Sequence, residues 1–223
     1  MERSGGKWQR VISQISAQTI DVAVLFGAAI GLVAAYVVVP SDSAFVFTYG
    51  DPSVLTIWTA AAQHDSASHL LSNVTTYALV VGITYTVYMT QKRRAEFWVI
   101  VASCLLITPP VTTAGDYWLL AVQWSIVAPT ATAQGFSGVV SAFVGVLFVS
   151  LVEPTVAVVS HDSLNTNQPQ WPLIGMGWVV AVLLIATLLQ TGVTDGRFVN
   201  GFVHLIGFIS GGLIATAVLL CSR

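Results

Sequence analysis

The sequence is short of charged residues. Only 8% of its 223 residues are charged, with eight Lys and Arg against ten Asp and Glu, whereas a soluble globular chain carries about 25%. So few charges cannot cover a surface that faces water, which excludes a soluble domain. The net charge of −2 offers no basic face, which excludes a nucleic-acid-binding protein. Intrinsic disorder is excluded because 55% of the residues are hydrophobic.

Cysteine is equally scarce. Cys104 and Cys221 both lie in apolar runs, so the sequence predicts neither a disulfide framework nor a metal site. Apolar sequence is what the chain has in abundance, with a mean hydropathy of +0.80. Lipid is the solvent that suits this composition, and residues 1–223 are predicted to form one all-α, membrane-embedded domain.

Six apolar runs approach the length of a bilayer-crossing helix, which is about 20 residues. They predict a six-helix bundle over residues 20–221, preceded by a tail of residues 1–19. The polar segments 160–170 and 191–196 are predicted loops. The six runs are Val22–Val39, Leu70–Met89, Phe97 to the Pro109-Pro110 pair, Phe136–Val152, Leu173–Leu189 and Phe198–Cys221.

The segment Tyr117–Ala128 is apolar but only 12 residues long. A helix of that length reaches about 18 Å, less than the ~30 Å hydrocarbon core. Its two tryptophans and one tyrosine are typical of the membrane surface. We therefore expect a surface helix in an outer loop, which leaves Asp116 outside the membrane.

The distribution of basic residues predicts the orientation. Lys and Arg precede the first run and join the second to the third, whereas the segments joining runs one to two and three to four contain none. By the positive-inside rule both termini are cytoplasmic, in a cell membrane. The second, fourth and sixth runs then all begin at the outer face.

Polar residues cluster at the starts of these three runs. His64, His69 and Asn73 open the second run, Ser137 opens the fourth, and His204 lies early in the sixth. The orientation therefore places all five at a similar depth near the outer face. Ionisable groups inside a membrane are costly, and they mark functional sites by default.

Small residues flank this cluster. From Gly138 they recur along the fourth run, and in the sixth Gly207 and Gly211 are four residues apart. Such stripes let two membrane helices approach closely. If these helices pack along them, His204 reaches the Ser137 hydroxyl and can activate it as a nucleophile. The helix N-terminus at Ser137 supplies backbone N–H donors for an oxyanion.

The combined pattern resembles the rhomboid family of intramembrane serine proteases. Its three parts match that family's signatures in order and spacing. They are His64-x4-His69-x3-Asn73, then Gly135-Phe136-Ser137-Gly138, and His204-x2-Gly207-x3-Gly211.

The resemblance implies a Ser137–His204 catalytic dyad. The oxyanion would be held by the Ser137 N–H with the side chains of His69 and Asn73, and His64 matches the outer histidine of the first motif. No acidic third member is expected, since Asp65 and Asp195 are loop-side candidates only. The resemblance implies no cofactor or metal. It implies a lipid bilayer as surroundings and single-span membrane proteins as substrates, cut near the outer end of their helix after a small residue.

The sequence departs from the family pattern at two positions near the dyad. Ser141 stands where many members carry a tyrosine that stacks on the histidine, and Val203 stands where a small residue is common. Two other functions remain open. One is a catalytically silent relative that binds membrane clients, and the other is a small transporter that uses the histidines as a proton relay.

Overall fold

The computed structural model describes residues 5–40, 44–160, 171–188, 192–194, 197–199 and 201–222. Helices dominate these residues, which also contain two short antiparallel strand pairs. The elements in chain order are α1 (Gly5–Val38), β1 (Phe47–Thr48), α2 (Val54–Thr59), a 3-10 turn (Ala60–Ala62), α3 (Ala67–Thr90), α4 (Arg94–Tyr117), a π-helical turn (Trp118–Gln123), β2 (Thr132–Ala133), α5 (Ser137–Ser160), α6 (Trp171–Leu188), β3 (Gly192–Thr194), β4 (Arg197–Val199) and α7 (Gly201–Cys221).

Five of the described helices are long and apolar enough to cross a membrane. Many of their large hydrophobic side chains are exposed, as lipid-facing side chains are. The predicted polytopic helical bundle is confirmed at this level. The fifth predicted run corresponds to α6, whose described apolar part, Pro172–Ala186, is shorter than the other spans. The five candidate spans are Ser16–Val38, Ala67–Thr90, Arg94–Gln123, Ser137–Val156 and Gly201–Cys221.

Helix α5 is the centre of the bundle, and residues 138–147 are buried without interruption. Its closest partner is α7, and glycines make that approach possible. A Cβ on Gly207 would overlap the carbonyl oxygen of Gly138, and one on Gly211 would overlap that of Ala142. The predicted stripes of small residues therefore bring the two backbones into direct contact.

The third span is longer than predicted. Pro109 and Pro110 lie inside α4 and do not end it. A proline removes a backbone N–H donor, but membrane helices tolerate this where neighbouring helices pack around them. Beyond the pair, Thr112 lies against Gly138, and Gly115 lies against Ile206 of α7. This packing favours continuing the helix.

The expectation of a surface helix over Tyr117–Ala128 is therefore wrong. Tyr117 is the last residue of α4, the π-helical turn 118–123 continues that helix, and 124–128 is not helical. Asp116, predicted to lie outside the membrane, belongs to the candidate span and is 1% exposed.

Further boundaries differ from the sequence predictions. The described part of the predicted tail, residues 5–19, is the first half of α1, so that helix begins before its apolar run. Phe198 lies in β4 and not in the last helix. The loop predicted at 191–196 contains β3, which pairs with β4, and residues 161–170 lie outside the described part of the chain.

Helices α3, α5 and α7 begin at the same end of the bundle, which we call the upper end. Residues 44–66, which precede α3, cap this end, because Phe47 in β1 pairs with Ala133 in β2. Phe47, Tyr49 and Leu120 belong to a small apolar core under this cap, separate from the main core of the bundle.

A buried carboxylate joins α1 to the other helices. Asp21 is 1% exposed and accepts two hydrogen bonds from the Arg94 guanidinium, at 2.7 and 2.6 Å. The Trp98 indole and the Tyr85 hydroxyl donate to it at 2.9 and 3.1 Å. Three partners from α3 and α4 thus hold one residue of α1. Most other residues in the part of this helix whose side chains are described, 16–38, are exposed.

Asp21→Asn is expected to lower the free energy of unfolding by about 2 kcal/mol. Breaking a fully buried ion pair costs about 3–5 kcal/mol, and the cost here is smaller because the Arg94 side chain is 49% exposed. Denaturant titration in mixed micelles measures the difference. Asp51→Asn is the control, since Asp51 is exposed, and an equal loss in both variants would contradict the prediction.

Candidate active site

The first turn of α3 orients His69. Ser66 caps this helix and accepts a hydrogen bond from the His69 backbone N–H at 3.2 Å. The Asp65 carboxylate lies 3.0 Å from Nδ1 of the His69 ring. Contact with a carboxylate on one ring nitrogen fixes the direction in which the other, Nε2, points.

His64 connects three elements at the upper end. It lies between the 3-10 turn and α3 and is 2% exposed. Its Nε2 accepts from the Asn73 side-chain amide at 2.9 Å and from the Phe136 backbone N–H at 3.5 Å. His64 therefore ties Asn73 of α3 to the residue that precedes Ser137.

The His64 ring is suited to this acceptor role. Burial, with a smaller contribution from the charge of His69, lowers its pKa to about 4. The ring is therefore neutral near pH 7. Because Nε2 accepts a hydrogen bond, the proton of the neutral ring is on Nδ1.

Gly135 makes the next connection. Its φ is +123°, a backbone conformation that side chains other than glycine rarely adopt. A Cβ at this position would lie 2.7 Å from Cε1 and 2.9 Å from Nε2 of His69, and 3.8 Å from the Asn73 amide nitrogen. The backbone just before Ser137 is therefore in direct contact with His69 and next to Asn73.

Ser137 is the first residue of α5 and is partly buried. Its neighbour Gly138 lies against Gly207 of α7 and against Thr112 of α4. His204 precedes Gly207 by three residues, which is about one helical turn, and is also partly buried. Packing at the glycines thus places His204 at the level of Ser137.

Most of these residues line one cavity. Its volume is about 1040 Å³, and it lies at the upper end beneath the cap. Polar and charged side chains make up much of its lining. They include Tyr49, Asp65, Ser68, His69, Ser72, Asn73, Thr112, Thr113, Asp116, Gln134, Ser137 and His204.

The site residues predicted from the sequence therefore meet in one place. Ser137, His204, His69 and Asn73 line the cavity together with Gly135 and Gly138. The remaining three do not line the cavity but support residues that do. His64 is hydrogen-bonded to Asn73, and Gly207 and Gly211 allow α7 to pack closely against α5. The loop-side candidate Asp195 and the fourth histidine, His161, lie outside the described residues.

The two departures from the family pattern have definite surroundings. Ser141 is completely buried and donates a hydrogen bond to the Ser137 carbonyl at 2.7 Å. Its Cβ would lie 3.1 Å from a Cβ on Gly207, so the tight α5–α7 contact leaves little room for a larger side chain. Val203 lines the cavity beside His204.

The sequence predictions missed the carboxylate of Asp116 in this cavity. Its Oδ2 accepts a hydrogen bond from the Tyr49 hydroxyl, which belongs to the cap. The sequence gives only a weak indication that Asp116 is buried. Asp116 follows Thr112 by four residues, so the two share one face if the helix continues this far. The proline pair suggested instead that the helix had already ended.

The reactive groups of the site are hydroxyl, imidazole, amide and carboxylate side chains. Within the described residues, no group of three or more His, Cys, Asp or Glu is arranged to hold a metal ion. Cys104 is buried and Cys221 is exposed, and both are free thiols. What the cavity offers is a hydroxyl at a helix N-terminus, an imidazole on the helix packed beside it, and imidazole and amide groups opposite.

Comparison with protein-family models finds no match, and comparison with curated proteins finds no significant match. The resemblance to the rhomboid family therefore rests on the motif residues themselves.

Proposed function

We propose that this protein is a rhomboid-type intramembrane serine endopeptidase. The observation that carries the proposal is the single cavity lined by Ser137, His204, His69 and Asn73, which come from three helices that begin at one end of the bundle. Each of the three sequence motifs contributes to this cavity. A hydroxyl, a base and oxyanion donors are the groups that acyl transfer requires.

Ser137 is the nucleophile in this proposal. Its Oγ attacks the scissile carbonyl carbon while a ring nitrogen of His204 takes the hydroxyl proton. The electron pair of the carbonyl bond moves to the oxygen. The imidazolium then gives its proton to the leaving amine as the peptide bond breaks, and water hydrolyses the acyl-enzyme by the same route in reverse order.

The oxyanion would be stabilised from two sides. The backbone N–H of Ser137 is in the first turn of α5, where N–H groups have no partner within the helix. His69 and Asn73 approach from α3, and both are held in place by contacts already present, with Asp65 and His64 respectively. Donors fixed before the reaction stabilise developing charge without having to reorganise.

The substrate follows from where the cavity lies. Basic residues 92–94 join α3 to α4 at the end of the bundle opposite the cavity, so the positive-inside rule turns the upper end outward and leaves both termini in the cytoplasm. In this topology α6 is the fifth of six spans. A single-span helix hides its peptide groups, so it would be cut near its outer end, where it unwinds into the cavity. The resemblance to the rhomboid family implies that the cut follows a small residue.

Covalent labelling tests the proposal. A fluorophosphonate probe is expected to label the folded wild-type chain in liposomes, because it reacts with an activated serine. Ser137→Ala and His204→Ala should each abolish labelling. Ser150→Ala should not, since Ser150 is a buried serine lower on α5 that donates to the Val146 carbonyl. No labelling of a folded wild-type preparation, or undiminished labelling of His204→Ala, would overturn the proposal.

A further inference from the structure

The cavity holds a carboxylate that the mechanism above does not use. Asp116 is 1% exposed and lines the same cavity as Ser137 and His204. We propose that Asp116 is a positioning residue for His204: its negative charge orients the imidazole and stabilises the imidazolium that forms when Ser137 gives up its proton. This inference rests on the proposed protease function.

Helix packing places Asp116 and His204 in one layer. Thr112 of α4 and Gly207 of α7 both lie against Gly138, so these residues share a level in the bundle. Helix α4 runs toward the upper end and α7 runs away from it. Asp116 is four residues above Thr112, a rise of about 6 Å, and His204 is three residues above Gly207, a rise of about 4.5 Å.

The two helices also touch within this layer. Gly115, the neighbour of Asp116, has no side chain, and a Cβ there would lie 3.1 Å from Cδ1 of Ile206. Ile206 is two residues from His204 and flanks the same turn of α7. Asp116 therefore lies where α4 and α7 are in contact, on the side that opens into the cavity.

Contact with the cap holds the carboxylate in place. The Tyr49 hydroxyl donates to Oδ2 of Asp116. Burial and the charge of Asp116 raise the pKa of Tyr49, so the phenol retains its proton and remains a donor. The backbone beside Tyr49 is fixed in turn, because the Gly50 N–H donates to the Pro129 carbonyl at 2.7 Å.

A carboxylate in this position has a defined electrostatic effect. It favours the protonated imidazole, and it does so more strongly in a partly dehydrated cavity than in water. Asp116 does not take the proton itself, which passes from Ser137 to His204 and then to the leaving amine. The other titratable groups described in the cavity lining are Tyr49 from the cap, and Asp65 and His69 from the start of α3.

The test is the pH profile of kcat/KM for Asp116→Asn, using the full chain in liposomes with a single-span substrate. We expect kcat to fall about 10- to 100-fold with little change in KM. We also expect the acidic limb of the profile to move to lower pH, because without the negative charge the imidazole stays unprotonated to lower pH. Asp116→Glu keeps the charge and should leave the limb near its wild-type position.

Tyr49→Phe separates this role from a structural one. This variant removes the hydrogen bond between the cap and the Asp116 carboxylate but keeps the negative charge. Without the phenol as a hydrogen-bond donor, that charge acts more strongly on the His204 imidazole, so the acidic limb should move to higher pH. If Asp116 only anchored the cap, both variants would lose activity without moving the limb. An unmoved limb in Asp116→Asn overturns the inference. If that variant does not fold, an unmoved limb in Tyr49→Phe overturns it.

Failure of this inference is distinguishable from failure of the proposed function. A wild-type chain that neither cleaves the substrate nor reacts with the phosphonate probe contradicts the protease itself. A wild-type chain that cleaves, with limbs that do not move in Asp116→Asn and Tyr49→Phe, contradicts only the role of Asp116 and leaves the Ser137–His204 dyad in place.

Discussion

Ser137→Ala is expected to lower kcat for cleavage of a single-span substrate by at least about 10⁴-fold, because the variant has no nucleophile. Removing the serine of a catalytic pair costs about as much as removing the whole group, since its members act as a unit. The remaining side chains of the cavity are untouched, so KM should change little. The measurement is single-turnover cleavage in liposomes with substrate and enzyme reconstituted together.

Further variants test whether the loss in Ser137→Ala reflects the missing nucleophile. His204→Ala should be as inactive as Ser137→Ala, and the double variant should be no worse than either, as for any two residues that act in one step. Ser150→Ala should retain activity within about threefold, because Ser150 does not line the cavity and its hydroxyl donates to a carbonyl of its own helix. Residual cleavage by Ser137→Ala above one-hundredth of the wild-type rate would show that another group is the nucleophile.

Gly211→Ala is expected to destabilise the protein by about 3 kcal/mol, a large effect for the addition of one methyl group. The new Cβ would overlap the carbonyl oxygen of Ala142 and would lie 2.6 Å from its Cα. These are backbone atoms, which cannot rotate away as a side chain can, so α5 and α7 must move apart. Overpacking a close-packed core typically costs about 1–3 kcal/mol. Denaturant titration in mixed micelles measures the effect.

The neighbouring glycine is a matched control. Gly212 is on the same helix, but a Cβ there would meet the Val149 side chain at 3.7 Å, an ordinary contact. Gly212→Ala should therefore be neutral or slightly stabilising, since alanine favours the helix. Moving α7 also moves His204 away from Ser137, so Gly211→Ala should lose cleavage as well. Equal stabilities of the two variants would show that the helices are not held together at this stripe.

Much of the fold could be predicted because the bilayer restricts the choices. Within lipid, backbone groups must be paired inside each segment, so a long apolar run can only be a helix. Runs such as Leu70–Met89 therefore gave α3 within a few residues. Boundaries were less predictable where the signal depended on neighbours. The Pro109-Pro110 pair was read as an end, yet α4 continues because Thr112 and Gly115 pack against α5 and α7.

The candidate site could be predicted in outline for a different reason. Residues widely separated along the chain, such as Asn73, Ser137 and His204, are polar exceptions in apolar surroundings, and alternate spans bring them to the same end. Small residues at the α5–α7 contact added the information that these two helices touch. The role of the buried His64 was not predictable. It depends on the folded position of the ring, where Nε2 accepts hydrogen bonds from both the Asn73 amide and the Phe136 backbone N–H.

The sequence by itself determined that the chain is a helical membrane protein and which polar residues share one depth, because hydropathy and the positions of small residues are local properties. Only the tertiary structure decided that the third span passes its prolines and carries Asp116 into the cavity, where the Tyr49 hydroxyl reaches it. That outcome depends on the free energy of packing α4 against two other helices. No single stretch of sequence contains that quantity.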